Sequence, residues 1–269
     1  MCIPTNRLIR TLTAALSVSV GMVLVLSCGK GGNHPAPTGL LSGNWEMTLQ
    51  PDLSSTTTET EAGFLLQENN SLTGELLLSA QSECAGLGSV QGTVKGSNVV
   101  ITLDQMGQTV SLTGVASNDG SSIAGTYSIL GSSCAGSSSA GKWTASPVKP
   151  VTGNYQATFT SNNVSVDSYV FALNVTQAPN AGLSTTTISG TMTSTTAPCA
   201  RTVSIAGVVS GTSIVFNFLA SDGSTALGQF TGATSVDATT LTGTYDFLAN
   251  TQGCAGDAGT ISIVQQASS

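Results

Sequence analysis

Apolar and polar residues alternate along the chain after residue 40, in short runs that are separated by glycine, asparagine and aspartate. Alternation with a period of two is typical of β-strands with one buried face, and no segment beyond the N-terminal region shows a sustained, capped helical period. In the first half of the chain this pattern predicts eight strands, which are Asn44 to Leu49, Gly63 to Gln67, Leu72 to Ala80, Val90 to Val94, Val99 to Leu103, Thr109 to Ala116, Ile123 to Ile129 and Gly141 to Ala145. The chain is therefore predicted to be all-β.

The connections between the predicted strands carry turn-forming residues. The segments "ENNS", "KGSN", "DQMGQ" and "SNDGSS" supply the Gly, Asn and Asp that hairpin turns need at positive φ. Short connections lead sequence neighbours to pair, which favours an up-and-down antiparallel meander, and eight such strands can close into a small barrel. A sandwich of two sheets, of the immunoglobulin type, is the alternative fold.

The chain contains two copies of this pattern. The stretch "LSGNWEMTL" at residues 41–49 returns as "VTGNYQATF" at residues 151–159. Further matches follow in the same order: "LTGELLLS" with "ISGTMTS", "GTVKGSNVVITL" with "GVVSGTSIVFNF", "IAGTYSIL" with "LTGTYDFL", and "CAG" at residue 134 with "CAG" at residue 254. We therefore predict two tandem domains, residues 41–146 and 151–266, joined by a linker at residues 147–150, and each is long enough for its own core.

The first 27 residues have the order of an export signal. Arg7 and Arg10 provide a positively charged region, an apolar segment runs from Leu12 to Leu26, and small residues follow. The uncharged span from Thr11 to Gly29 approaches the length of a membrane-spanning helix. An uncleaved N-terminal anchor is therefore the alternative to a cleaved signal.

The end of this segment, "VLSC" at residues 25–28, resembles the lipobox of bacterial lipoproteins. The resemblance implies cleavage before Cys28, acylation of the Cys28 thiol and of the new amino group, and anchoring of the mature chain in a membrane. Gly29 at the following position, where aspartate would retain the protein, implies the outer membrane, on its periplasmic or its surface face. Residues 28–40 are rich in glycine and proline, as in a flexible tether.

Six cysteines become four once the signal is removed and Cys28 is acylated. An even number in an exported chain indicates two disulfides, and the lack of a CxxC spacing argues against a zinc site. Between Cys84 and Cys134 the predicted meander makes four passes, which bring the chain back to the same end of the sheet. We therefore predict one bridge in each domain, Cys84 with Cys134 and Cys199 with Cys254.

The inventory of side chains argues against several kinds of chemistry. Without the signal, five basic residues stand against fourteen acidic ones, which argues against nucleic acid as a partner. His34 is the only histidine and lies in the tether, so neither a Ser-His-Asp triad nor a histidine metal site is predicted in either domain. Four carboxylates lie in or beside predicted strands, those of Glu46, Glu75, Asp104 and Asp246. A pair for glycoside hydrolysis is the alternative to their interpretation as solvent-facing residues, which is favoured. No catalytic residue, metal site or cofactor is predicted.

Two further features are interpreted as structural. Trp45 and Trp143 lie on the first and last predicted strands, which become neighbours if the sheet closes, and core packing is favoured over a ligand platform. The segment "SNDGSS" at residues 117–122 lacks the spacing of an EF-hand loop, so we interpret it as a hairpin turn.

The Gly-x-Trp pattern from Gly43 to Trp45, on the first of eight strands, is similar to that of the calycins, the lipocalin and avidin group. The segment "LTGTY" at Leu241 is similar to avidin hairpins. Tyr155 replaces the tryptophan in the second copy, and several ligand-facing tryptophans of avidins are missing, so biotin binding does not carry over. The resemblance implies barrel topology and the binding of small molecules.

These observations predict a non-enzymatic lipoprotein of the cell envelope, held at the membrane through Cys28. Its expected partners are a small hydrophobic molecule, a glycan or another protein, and its oligomeric state is not predicted. The alternative function is a structural or adhesive spacer built from immunoglobulin-like sandwiches. An apolar cavity inside each domain would favour binding, whereas tightly filled interiors would favour the spacer.

Overall fold

The computed structural model describes residues 41–52, 58–78, 86–105, 107–130, 140–179, 182–198, 201–248 and 256–267. These residues form sixteen β-strands, all within the compact unit Pro35–Ser269. In this described part of the chain, no helix has the length and apolar character that a membrane crossing requires. The prediction of an all-β protein is confirmed.

The first eight strands form a closed barrel, called barrel 1 below. Each strand pairs antiparallel with the next, and the last pairs with the first, so the meander closes. The predicted up-and-down barrel is therefore confirmed, and the immunoglobulin-like sandwich is wrong. The strands are β1 (Gly43–Pro51), β2 (Glu59–Glu68), β3 (Ser71–Leu78), β4 (Gly86–Lys95), β5 (Asn98–Gln105), β6 (Gln108–Ala116), β7 (Ile123–Leu130) and β8 (Ala140–Val148).

The remaining eight strands form a second closed barrel, barrel 2, with the same order of pairing. Corresponding residues also pair in the same register: Met47 lies opposite Glu61 in barrel 1, and Ala157 lies opposite Phe171 in barrel 2. The strands are β9 (Gly153–Ser161), β10 (Tyr169–Gln177), β11 (Thr186–Thr193), β12 (Thr202–Ser210), β13 (Ser213–Leu219), β14 (Ala226–Thr234), β15 (Thr240–Phe247) and β16 (Ala258–Gln265). The repeat in the sequence is thus a repeat of the whole barrel.

Most strand ends in barrel 1 lie within two residues of the predicted ones, and three do not. β2 begins at Glu59 and β4 at Gly86, each four residues earlier than predicted. Inward positions near these ends are occupied by Glu61 and Gly88 rather than by large apolar residues, so the alternation is hidden in the sequence. β8 continues to Val148, into the segment predicted as a linker.

The interior of barrel 1 contains both tryptophans of the chain. The indole N–H of Trp45 donates to the Leu41 carbonyl at 3.0 Å, and that of Trp143 donates to the Thr113 carbonyl at 3.1 Å. A Cβ atom at Gly114 would lie 2.8 Å from the Trp143 ring, so the close approach requires glycine there. The interpretation of both tryptophans as core residues is confirmed.

The interior of barrel 2 is packed with aromatic rings. Around Phe159, five ring centroids lie at 5.0–6.2 Å, those of Tyr169, Phe171, Phe218, Tyr245 and Phe247. Phe216 and Phe230 stack at 4.7 Å further along the barrel. Aromatic pairs at such distances stabilise a core beyond the gain from burial alone. The interior of barrel 2 is therefore filled by the protein's own aromatic side chains.

The turns that connect β6 to β7 and β14 to β15 have the same construction. Ser117 N donates to the Ser122 carbonyl at 2.9 Å, and Ser235 N donates to the Thr240 carbonyl at 2.8 Å. Asp119 and its counterpart in barrel 2 accept hydroxyl hydrogen bonds within the turn. The interpretation of residues 117–122 as a hairpin turn is confirmed.

Candidate functional site

The two barrels contact each other through the turn between β12 and β13. Asn44, at the start of β1, donates from Nδ2 to the Gly211 carbonyl and accepts from Gly211 N, both at 2.8 Å. Glu46 accepts from the backbone N–H of Thr212 at 3.0 Å and from the Thr212 hydroxyl. Gly211 has φ +54°, a left-handed conformation that favours glycine. This turn is therefore bound to barrel 1 by paired side-chain hydrogen bonds.

An aromatic side chain of barrel 1 completes this contact. Phe64 lies on β2, points away from the interior of its own barrel and is only 2% exposed, because it packs into the core cluster of barrel 2. Beside it, Glu75 Oε2 accepts from Ser184 N at 3.2 Å. The residue that corresponds to Phe64 in barrel 2 is Asn174, which is exposed. The aromatic residue that packs against the other barrel is therefore present in one copy of the repeat and not in the other.

A cleft of about 600 Å³ opens beside this contact. Its walls come from the start of β1, Phe64 on β2, the end of β8, the segment between the barrels, the end of β10 and two hairpin turns. The apolar part consists of Phe64, Pro147, Val148, Pro150, Ala178 and Val236. The polar part consists of Ser42, Asn44, Ser121, Ser146, Lys149, Gln177 and Asp237.

Two charged side chains of opposite sign line the cleft. Lys149 is exposed, and its backbone N–H donates to the Val236 carbonyl at 2.8 Å. Hydrogen bonds from the Ser235 and Thr239 hydroxyls and from Thr239 N lower the pKa of Asp237 to about 2, so this carboxylate is ionised at neutral pH. The cleft thus offers apolar contacts together with one cation and one anion.

Barrel 2 has a hydrogen-bonded cluster at the end where β15 is connected to β16. Asp257 accepts from the hydroxyls of Ser161, Tyr169 and Tyr245, the last at 2.8 Å. Burial, with smaller contributions from Asp257, raises the pKa of both tyrosines, that of Tyr245 to about 12. Both phenols therefore act as hydrogen-bond donors at physiological pH, and the cluster joins three strands at this end.

The corresponding end of barrel 1 contains a buried carboxyl group. Glu61, on β2, is 2% exposed, and its Oε2 has no hydrogen-bond partner among the described residues. Burial, and to a smaller extent the charge of Glu59, raises the pKa of Glu61 to about 8. The carboxyl group is therefore mostly protonated at neutral pH.

Replacing Glu61 by leucine should stabilise barrel 1 by an amount that grows with pH. The folded chain keeps the Glu61 proton up to pH about 8, whereas the unfolded chain releases it near the ordinary pKa of 4.5. The contribution of Glu61 to stability therefore falls as pH rises from about 4.5 to about 8, and by pH 7 the loss is about 3 kcal/mol. The leucine variant does not undergo this loss.

Urea unfolding followed by tryptophan fluorescence measures this effect, because both tryptophans lie in barrel 1. The gain in free energy of unfolding from Glu61→Leu should be about 3 kcal/mol larger at pH 8 than at pH 5. Glu68→Gln, at an exposed position of the same strand, is the control and should show no such difference. A gain in free energy of unfolding that does not change with pH would contradict the raised pKa of Glu61.

The predicted site residues fall into three groups. All the cysteines, Cys28 and the pairs Cys84 with Cys134 and Cys199 with Cys254, lie outside the described residues and stay predictions. Asp104 and Asp246 are exposed, as interpreted. Glu46 and Glu75 are half-buried and accept hydrogen bonds from barrel 2, so their interpretation as solvent-facing was wrong. A single sequence could not show this, because outward positions are polar whether water or a second barrel covers them.

Sequence reasoning also missed Glu61 and Phe64. The prediction began β2 at residue 63, which left Glu61 outside the strand. Extending the alternation backwards from the inward Leu65 through Gly63 would have placed Glu61 inside the barrel. For Phe64 the signal was a large aromatic residue next to Leu65, at a position where alternation expects a polar side chain.

By its fold, the chain is a tandem-barrel protein: two closed, eight-stranded up-and-down barrels follow one another in sequence. No protein-family model matches the chain, and no curated protein matches it. Among solved structures it is similar to a double mutant of the vaccine antigen transferrin-binding protein B from Haemophilus parasuis, with 9% identity and a TM-score of 0.27 over 86% of this chain and 76% of that chain. It is also similar to intact Ap-TbpB with its N and C lobes, with 10% identity and a TM-score of 0.25 over 87% and 79%.

Proposed function

We propose that this protein is a membrane-anchored, non-enzymatic binding protein of the cell envelope, and that its ligand lies in the cleft between the two barrels. The cleft carries the proposal: its volume of about 600 Å³ lies within the range of small-molecule sites, roughly 300–1,000 Å³. The interior of barrel 2 is occupied by its own aromatic rings, which favours a site between the barrels. The absence of histidine after residue 34 supports a non-enzymatic role.

The chemistry of the cleft favours an amphipathic small molecule or a saccharide with an anionic group. Pro147, Pro150 and Val236 offer an apolar surface, and the Lys149 ammonium is placed to pair with an anion. The contacts of Asn44 and Glu46 with the turn at Gly211 hold the two walls at a fixed separation. A preformed cleft binds more tightly than one that must be ordered by its ligand.

The dye 1-anilinonaphthalene-8-sulfonate, an anionic aromatic molecule, provides a direct test of this site. Wild-type protein should enhance its fluorescence, and Ser146→Trp should abolish the enhancement, because Ser146 is an exposed residue that lines the cleft. Ser128→Trp, at an exposed outward position of β7 that does not line the cleft, is the matched control and should bind like wild type. Equal dye binding by Ser146→Trp and wild type would refute the cleft as the site and favour a spacer.

Attachment to the membrane through Cys28 is part of the same proposal, and it rests on the "VLSC" segment and the glycine-rich residues that follow it. The full chain, made in a Gram-negative host fed with radioactive palmitate, should be labelled and recovered with the outer membrane. Cys28→Ala should lose the label, because the thiol carries the lipid. Cys2→Ala, within the signal, is the control and should keep it. Mature protein that retains Met1 would contradict the anchor.

A further inference from the structure

Among its described residues, barrel 1 contains three buried side-chain oxygens that accept no hydrogen bond. They are Glu61 Oε2, Gln105 Oε1 and Gln108 Oε1, and none of the described residues donates to them. Their side chains are 2%, 2% and 6% exposed. Buried polar atoms are paired in most folded proteins, so each such atom requires an explanation.

All three residues lie at the same end of barrel 1. Glu61 is near the start of β2, Gln105 is the last residue of β5 and Gln108 is the first residue of β6. In an up-and-down barrel the start of an even strand and the end of an odd strand share one rim. Gln105 Nε2 donates to the Gly86 carbonyl at 2.7 Å, which orients its amide and leaves Oε1 free to accept.

Barrel 2 shows that this fold does not require polar residues at the positions of Glu61 and Gln105. Phe171 occupies the position of Glu61, as the matching register with β1 and β9 shows. Continuing the match of "GTVKGSNVVITL" with "GVVSGTSIVFNF" by two residues places Ala220 at the position of Gln105. At this end of the described barrels, the unpaired oxygens of Glu61 and Gln105 are therefore particular to barrel 1. The buried oxygen without a partner in barrel 2, Ser210 Oγ, lies at the other end, where β12 ends.

The side chains that fill this end differ between the two barrels. The two barrels have the same number of strands and the same pairing order, so their interiors have similar dimensions. Three large rings of barrel 2 correspond to smaller aliphatic side chains in barrel 1: Phe159 to Leu49, Phe218 to Leu103, and Phe247 to Ile129. Next to Leu49 the exchange is reversed, because Trp143, which lies opposite Leu49, corresponds to Ile261, which lies opposite Phe159. The smaller side chains of barrel 1 therefore lie on β5 and β7, the two strands that flank Gln108 on β6.

We propose that this end of barrel 1 binds the primary ammonium group of a small amine, whose three N–H donors are matched by the oxygens of Glu61, Gln105 and Gln108. An ammonium group has three donors and no acceptor, which complements the oxygens of two glutamine amides and of an ionised carboxylate, all of which accept. The Glu61 carboxylate compensates the positive charge, and Glu59 on the same strand adds negative charge nearby. The aliphatic side chains of Leu49, Leu103 and Ile129 suit the hydrocarbon part of the ligand.

Binding at neutral pH should release a proton. Glu61 is protonated in the empty barrel, and the bound ammonium group favours its ionised form, so the Glu61 proton passes to the solvent as the amine enters. Met47 and Leu78 flank Glu61 on β1 and β3 and do not titrate. The titratable groups that face this region are Glu59, Tyr127 and Asp52, and the pKa of Tyr127 is raised, mainly by burial.

The test uses n-butylamine as the probe and thermal unfolding of the full chain, followed by tryptophan fluorescence, as the readout. n-Butylamine should raise the melting temperature of barrel 1 by several degrees, because a ligand of the folded state stabilises it. Tetramethylammonium, which has no N–H donor, and n-butanol, which has no charge, should not. Glu61→Leu should lose the shift, while Glu68→Gln, the exposed control on the same strand, should keep it.

Calorimetry in buffers of different ionisation enthalpy adds a readout that does not depend on stability. Wild type should release up to one proton per bound n-butylamine at pH 7 and markedly less at pH 9, where Glu61 is already ionised. A butylamine shift that is equal in wild type and Glu61→Leu would overturn the proposal. A shift with calcium chloride and none with n-butylamine would also overturn it, in favour of a metal ion at the same oxygens.

Discussion

Replacing Phe64 by alanine should destabilise the contact between the barrels and the adjacent core of barrel 2 by about 4 kcal/mol, within the range for deleting a buried phenylalanine. Phe64 is 2% exposed and packs in the core cluster of barrel 2, although it belongs to a strand of barrel 1. The loss of stability should affect barrel 2 and the contact between the two barrels. The interior of barrel 1 does not contain this ring.

Hydrogen exchange locates the effect of Phe64→Ala. The amides of Gly211 and Thr212 donate to Asn44 and Glu46 across the contact, so they should be protected in wild type and exchange faster in the variant. Asn174→Ala, at the corresponding exposed position of barrel 2, is the matched control and should change stability by less than about 0.5 kcal/mol. Unchanged exchange at both amides in Phe64→Ala would refute the role of this ring.

Reduction of the two predicted disulfides should lower stability by about 4 kcal/mol in each barrel. Each bridge, Cys84 with Cys134 and Cys199 with Cys254, closes a loop of about fifty residues, and the chain-entropy model gives that magnitude for such a loop. In barrel 1 the cysteines follow the ends of β3 and β7, which run in the same direction and therefore end at the same rim.

The expected disulfide pairing can be tested in each barrel separately. Changing Cys84 and Cys134 to serine should lower the urea midpoint measured by tryptophan fluorescence, because both tryptophans lie in barrel 1. The corresponding change at Cys199 and Cys254 is the control and should leave the stability of barrel 1 itself nearly unchanged. Non-reducing peptide mapping that links a cysteine of one barrel to a cysteine of the other would refute the pairing.

Much of the fold could be predicted because its information is local and appears twice. The two-residue alternation, the turn residues in "KGSN" and "SNDGSS", and the ordered matches between the halves each pointed to antiparallel meanders. Errors arose where inward positions are not large and apolar, as at Glu61 in β2 and Gly88 in β4. Closure of the sheet depends on the pairing of β1 with β8, which are far apart in sequence. Local patterns do not reveal this contact, so they could not distinguish a closed barrel from a sandwich.

The candidate sites were less accessible to sequence reasoning because they depend on which residues meet. Glu46 and Asp104 are both acidic residues at outward strand positions, yet only Glu46 is covered by the other barrel. Phe64 and Asn174 occupy equivalent places in the repeat, and only the contact between the barrels explains why one is aromatic. The cleft is formed by segments that are far apart along the chain.

The all-β class, the duplication, most strand positions of barrel 1 and the core role of Trp45 and Trp143 could be inferred from the sequence, because they follow from side-chain periodicity and from self-similarity. Four features became visible only in the folded chain: each sheet closes, Phe64 packs into the neighbouring barrel, a cleft lies beside it, and Glu61 is buried with its Oε2 unpaired among the described residues. Alternation assigns a residue to one face of a strand. What lies across that face is set by segments distant in sequence, and their arrangement exists only once the chain has folded.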